Sequence, residues 1–256
     1  MFTKAIVRAP GQNFASGLTS VDLGLPVFER ALQQHDFYCR VLESCGLELL
    51  RLAADEQHPD STFVEDTAVL TARGAVITRP GAASRLGELD GITPVLRSHF
   101  TDLQFIDAPG TLDGGDVCDG GDHFFIGISR RTNEHGAKQL AGLLHSFGYS
   151  SSLIDIRALS NILHLKSGLA YLGGNHLVII EALRNLPEFS GYSVICPTVV
   201  EEYAANCLLL NGRILLAEGF PAMQDELNNR GYETIALNMS EFQKMDGGLS
   251  CLSLRF

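Results

Sequence analysis

A single pattern returns five times along the chain and leaves few folds open to it. Each copy is a short apolar run, a turn built from Gly, Asn or Asp, and a second apolar run. Four copies are whole, at residues 67–80, 114–129, 166–181 and 205–219, and residues 247–256 begin a fifth. They start roughly 40 to 50 residues apart, the span of one supersecondary unit in a repeat architecture. The fifth copy has no downstream partner. The N-terminal run at 5–8 can supply one, which would close a ring. Turn chemistry agrees with hairpins. Asn211-Gly212 suits a type I′ turn, and Gly173-Gly174-Asn175 tolerates positive φ.

Helical spacing appears between the hairpins. Phe28, Ala31, Leu32, His35, Tyr38, Cys39, Leu42 and Cys45 recur on one face. Ala137, Leu140, Ala141, Leu144 and Phe147 do so after Thr132, with Gly148 as a stop, and 223–229 precede Gly231 in the same way. Each repeat therefore reads as a hairpin, a helix and a further strand such as VICP or ETIAL. Five units around an axis predict a radial α/β assembly, a single domain over 1–256. A doubly wound open sheet is the alternative, but no Gly-rich phosphate loop favours it.

Charge and cysteine usage narrow the setting. The 256 residues carry a net charge of −11, so nucleic acid and anionic membranes are poor partners. No apolar run is long enough to span a bilayer, and no signal peptide is evident at the start. The six cysteines are scattered without a C-x-x-C pair, which fits buried free thiols in a reducing, cytoplasmic setting. Exposed strand edges leave a homodimer open.

The chemistry-bearing residues fall at one recurring place, the entrance to a hairpin's first strand. Glu65-Asp66 precede the first hairpin, Asp113 and Asp116 the second, His164 the third, Asn206-Cys207 the fourth, and Cys251 opens the fifth. In a ring, equivalent positions face one axis, so a thiol, an imidazole and two or three carboxylates converge on one cavity. Cysteine supplies a nucleophile and histidine a proton carrier. Partly buried carboxylates call for a cation, and a planar guanidinium pairs well with them. The set suggests attack on an amidine carbon with displacement of an amine. Taken alone, Cys251 reads equally as a buried thiol and His164 as a satisfied core histidine. Asp113 and Asp116 also make good turn residues. His35 and Cys39 have metal-ligand spacing, but the buried face of a helix gives the same spacing.

Six strings in order extend this reading: FVEDTAVL (63–70), TLDGGDV (111–117), ISRRTNEHGA (128–137), LHLKSGLAYL (163–172), YAANCLLLNGRILLA (203–217) and DGGLSCLSLRF (246–256). Together they resemble the dimethylarginine dimethylaminohydrolase family over the full length. The resemblance implies a five-bladed α/β propeller, the pentein fold, with a central active-site cavity. It implies hydrolysis of N-ω-methylated arginine to citrulline and dimethylamine or methylamine, through an S-alkylthiouronium adduct on Cys251. His164 would protonate the leaving amine and then activate water, with Asp113 oriented towards it, and Asp66 would grip the guanidinium. Leu18, Asp60, Phe63, Glu65, Arg85, Arg131, Met245 and Asp246 would line the pocket. The two arginines would suit the α-carboxylate, and Met245 would act through its carbonyl. Residues 17–18 would lie in a lid. The resemblance implies no cofactor and no resident metal, and an ion captured by Cys251 and His164 would inhibit. Arginine deiminases resemble the chain at the histidine but carry an aspartate two residues on. Lys166 stands there instead, which would leave room for methyl groups. A deiminase acting on arginine or another guanidine, and a non-catalytic guanidine binder on the same fold, are the rival readings.

Overall fold

Each expected hairpin acquires a third strand in parallel, and five three-stranded sheets result. The structure is a computed structural model describing residues 1–256. The first blade sets β1 (Lys4–Arg8) between β2 (Glu48–Leu52) and the C-terminal β15 (Leu254–Arg255). The second holds β3 (Ala68–Thr71), β4 (Gly74–Ile77) and β5 (Leu103–Phe105). The third holds β6 (Val117–Asp119), β7 (His123–Ile128) and β8 (Ser150–Asp155). The fourth holds β9 (Leu169–Tyr171), β10 (His176–Ile179) and β11 (Ser193–Ile195). The fifth holds β12 (Leu208–Leu210), β13 (Arg213–Ala217) and β14 (Glu233–Leu237). In every blade the middle strand pairs antiparallel on one side and parallel on the other.

The ring closes as the sequence suggests. Ala5 faces Arg255 and Ile6 faces Leu254. The backbone N–H groups of Thr3 and Lys4 both donate to the Phe256 carbonyl, at 2.9 and 2.8 Å. The last residues are therefore locked into the first blade, and Cys251 sits just before that lock.

Parallel neighbours need a crossover. Four blades use a helix: α1 (Phe28–Ser44), α2 (Leu89–His99), α3 (Glu134–Ser146) and α4 (Pro221–Asn229). The apolar face of α1 is the one expected, with Ala31, His35, Tyr38, Cys39 and Leu42 buried. Asn133 caps α3 by accepting from the Gly136 N–H at 2.8 Å. Helix α2 forms although Gly91 and Pro94 interrupt its pattern. One feature differs from expectation. The fourth blade has no α-helix in its crossover, only 3₁₀ turns at Glu181–Leu183 and Pro187–Phe189. Pro187 lacks an N–H and pushes Leu186 to extended backbone, so a helix cannot run through.

The core lies in the middle strands. Ala5–Val7, Ala75–Ile77, Phe124–Ile126, Leu177–Ile179 and Ile214–Leu216 are all at most 1% exposed. Burial on both faces explains why the sequence shows continuous apolar runs rather than alternation. Asn211 and Gly212 both have positive φ, 49° and 93°, as a type I′ turn demands. All six cysteines are free thiols, and no helix is long and apolar enough to cross a membrane.

Candidate active site

A short 3₁₀ turn leads into the first strand of each hairpin: Val64–Thr67, Gly114–Asp116, Leu165–Ser167, Val199–Ala205 and Ser250–Leu252. These turns carry or abut the expected chemical residues. Cys251 lies within the last of them, and its sulfur accepts the Gly248 N–H at 3.4 Å. A side chain at Gly248 would run into the Asn206 amide, so glycine permits that turn. Gly247 likewise leaves space for the Phe63 ring.

His164 caps the third of these turns, and its Nε2 lies 3.0 Å from Asp113 Oδ2. Asp113 is fully buried, and its Oδ1 accepts the Gly81 N–H at 2.8 Å. Both oxygens are thus committed, and the imidazole is fixed in orientation. Asp66 accepts the Gly115 N–H on Oδ1 at 2.8 Å and Arg85 Nη1 on Oδ2 at 2.5 Å. Asp60 Oδ1 accepts the Leu18 N–H at 3.0 Å and so ties the loop after Gly17 to the site.

One cleft of about 330 Å³, including its mouth, is lined by Cys251, His164 and Asp66 together. Leu18, Asp60, Phe63, Arg85, Arg131, Met245 and Asp246 complete most of the expected wall. Leu163 and Gly247 also line it. Sequence reasoning missed both, although each neighbours a residue it had singled out. A second hollow, lined by Leu23, Asn161, Ser167 and Tyr203 among others, reaches Cys251 from another direction.

Two expectations need correction. Glu65 does not line the cleft. Its carboxylate turns to a larger hollow that contains neither Cys251 nor His164, where it takes Lys166 Nζ at 2.5 Å, Ser250 Oγ at 2.7 Å and Arg255 Nη2 at 3.3 Å. Successive residues on a tight turn point apart, so Asp66 and Glu65 serve opposite sides. Lys166 faces that same hollow. Its side chain turns away from the cleft, so position 166 brings no carboxylate into the cleft and takes up no space there. Arg85 does line the cleft, but its guanidinium is 4% exposed and almost fully engaged. It bonds Asp66, both oxygens of Glu88 and the carbonyls of Asp60 and Phe63. It therefore braces Asp66 first, and Arg131, with its side chain 17% exposed, is the freer cation.

The charges follow from this packing. Burial pushes the Cys251 thiol up to about 12, and the Glu65 and Asp66 carboxylates reinforce it. Burial alone would lower His164, but Asp66, Asp116 and Asp113 outweigh it and raise the imidazole to about 9. Burial also opposes ionisation of Asp66, yet His164 and Arg85 hold its carboxyl down at about 2. A neutral thiol, an imidazolium and a carboxylate thus face one another. Asp66, Asp113 and His164 present ligand atoms within 4.8 Å of one another, a grouping that could also hold a metal ion.

Five α/β blades around an axis, with a cysteine, a histidine and paired carboxylates in an axial cleft, define the guanidino-modifying class of pentein-fold proteins. No protein-family model matches the chain. A curated dimethylarginine dimethylaminohydrolase of Pseudomonas aeruginosa is 42% identical to it, with both chains covered completely. A crystal structure of that Pseudomonas enzyme, a cysteine-to-serine variant complexed with citrulline, superposes with a TM-score of 0.97 over all of both chains. A histidine-to-glycine dimethylarginine dimethylaminohydrolase, as an adduct with S-methyl-L-thiocitrulline, gives 0.96 at 42% identity, again with full coverage of both. The chain belongs to the dimethylarginine dimethylaminohydrolase family.

Proposed function

We infer that this protein hydrolyses N-ω-methylated arginine to citrulline and a methylated amine through a covalent adduct on Cys251. The observation that carries the reading is the single cleft shared by thiol, imidazole and Asp66. Full-length kinship with enzymes captured with citrulline and with a thiocitrulline adduct supports it.

The chemistry follows from the charge states. Asp66, ionised and braced, receives the guanidinium. The substrate's positive charge then offsets the two carboxylates that hold the thiol neutral, and so favours the thiolate, with the thiol proton released to solvent. The sulfur bonds to the guanidinium carbon. The C–N bond to the methylated nitrogen breaks, and His164 gives its proton to the departing amine. The neutral imidazole then takes a proton from water, whose oxygen bonds to the same carbon. The C–S bond breaks and citrulline leaves. Asp113 keeps the imidazole aligned through both transfers, and Arg131 is placed for the α-carboxylate.

Incubation with asymmetric dimethylarginine and, separately, with arginine tests this. Citrulline and dimethylamine in equal amounts are expected from the first, with Cys251→Ser binding substrate but turning over at least about a thousandfold more slowly. Ammonia from arginine alone, or near-normal turnover by the serine variant, would reject the reading.

A further inference from the structure

We propose that Asp116, which does not line the cleft, is the positioning residue of this site: its two oxygens tie together the backbone that carries His164 and the turn that carries Arg131. The proposal rests on His164 being the proton carrier, as read above.

Asp116 is fully buried in the Gly114–Asp116 turn. Oδ1 accepts the N–H of Leu165, the residue immediately after His164, at 2.9 Å. Oδ2 accepts the Ser129 hydroxyl at 2.6 Å. That hydroxyl in turn accepts the N–H groups of Arg131 and Thr132, at 2.9 and 3.0 Å. The Thr132 hydroxyl closes the circuit by accepting the Asp113 N–H at 3.1 Å. One carboxylate therefore connects, within three hydrogen bonds, the backbone beside the proton carrier, the acid that orients it and the turn that carries Arg131. Space for this is reserved at Gly127, where a Cβ would lie 2.9 Å from both Asp116 Oδ1 and Leu165 Cβ.

The electrostatics agree with the geometry. The charges acting on His164 are the carboxylates Asp66, Asp113 and Asp116. The nearest cations are already paired, Arg85 with Asp66 at 2.5 Å and Arg131 with Asp113 at 3.9 Å, and Cys251 is neutral. Asp116 bears on the imidazole more than the bonded Asp113 does as a charge, without touching it. Burial lifts Asp116 itself to about 6, and His164, Ser129 and Thr132 keep it from rising further. It is therefore ionised when the enzyme works near neutrality.

Two variants separate the two arms. Asp116→Asn keeps an acceptor for Leu165 but removes the charge. The His164 titration midpoint, followed by NMR of labelled imidazole, is expected to fall by about one unit or more. The alkaline decline of kcat should move down with it, because His164 must be protonated to release the amine. Ser129→Ala keeps the charge and cuts the link to the Arg131 turn. It is expected to raise KM about threefold or more, leave kcat within about twofold and leave the imidazole midpoint in place. An unmoved midpoint in folded Asp116→Asn overturns the charge role, and an unchanged KM in Ser129→Ala overturns the tether. Normal turnover of methylarginine by His164→Gly would instead overturn the reading beneath the proposal.

Discussion

Gly115 shows how closely the catalytic groups are set. A Cβ there would lie 2.8 Å from both Asp66 Oδ1 and His164 Nδ1. Side-chain tips can often yield to such an intrusion. Here both are pinned, Asp66 by Arg85 and His164 by Asp113. Overpacking of this kind costs about 1–3 kcal/mol, and this site would take it as displacement of reacting groups. Gly115→Ala is expected to lower kcat by about tenfold or more while the melting temperature falls only a few degrees. Steady-state kinetics beside a thermal melt checks this, and a native kcat would show that the two groups have slack. The close approach also explains what sequence reading could and could not recover. Asp113-Gly-Gly-Asp116 was legible as turn chemistry beside a site. The resemblance already turned Asp113 towards the imidazole, whereas the bond from the Leu165 N–H to Asp116 depends on where the turns lie in space.

The loop over the cleft is clasped rather than loose. Ser20 gives its N–H and hydroxyl to the Asp246 carboxylate, at 2.5 and 3.0 Å. Thr19 bonds the Lys244 carbonyl, Lys244 Nζ reaches the Leu25 carbonyl, and the Val27 N–H donates to Glu241. Asp246 holds its place with φ at 57°, a conformation that Asp tolerates better than most residues. Yet Val21, Leu23 and Leu25 are 38 to 79% exposed, so little apolar burial holds the loop down. Polar clasps on a surface contribute little each, so the loop can be released at small cost. Ser20→Ala removes the hydroxyl bonds of one clasp and keeps its N–H bond, at a residue that does not line the cleft. It is expected to raise the alkylation rate of Cys251 by a bulky thiol reagent about threefold or more, relative to a small reagent. Equal acceleration of both reagents, or of neither, would mean that the clasp does not control access. The loop was legible only as GQNFASGLTS near the N-terminus. Apart from Asp60, its fastening partners lie more than two hundred residues away, beyond any local pattern.

Repetition made the architecture legible. Five similar hairpins imply five blades, and an orphan fifth hairpin implies closure through the N-terminus, as Ala5–Arg255 pairing shows. The departures are local, such as Pro187 denying the fourth blade its helix. A consequence of building a site from buried groups is a stability that depends on pH across the whole fold. His164 stands at about 9 in the folded protein against 6.5 when unfolded, so the folded state holds a proton that the unfolded chain releases first. That contribution is fully present below pH 6.5 and is lost as pH rises through about 9. The buried thiols Cys118, Cys207 and Cys251 act in the same sense at higher pH. Burial raises each from 9.0 to about 12, so their contribution is lost from about pH 9 upwards. Asp116, lifted to about 6, acts in the same sense at the low end of this window and is spent by about pH 7. The sum predicts stability that falls steadily from about pH 6.5 into the alkaline range. Denaturant unfolding at intervals between pH 6 and 10 measures it, and His164→Gln should flatten the stretch between 6.5 and 9 while leaving the steeper loss above 9. A native curve that stayed level to pH 9 would mean that His164 is not held protonated by its three carboxylates. The acid role assigned to it would then need another donor.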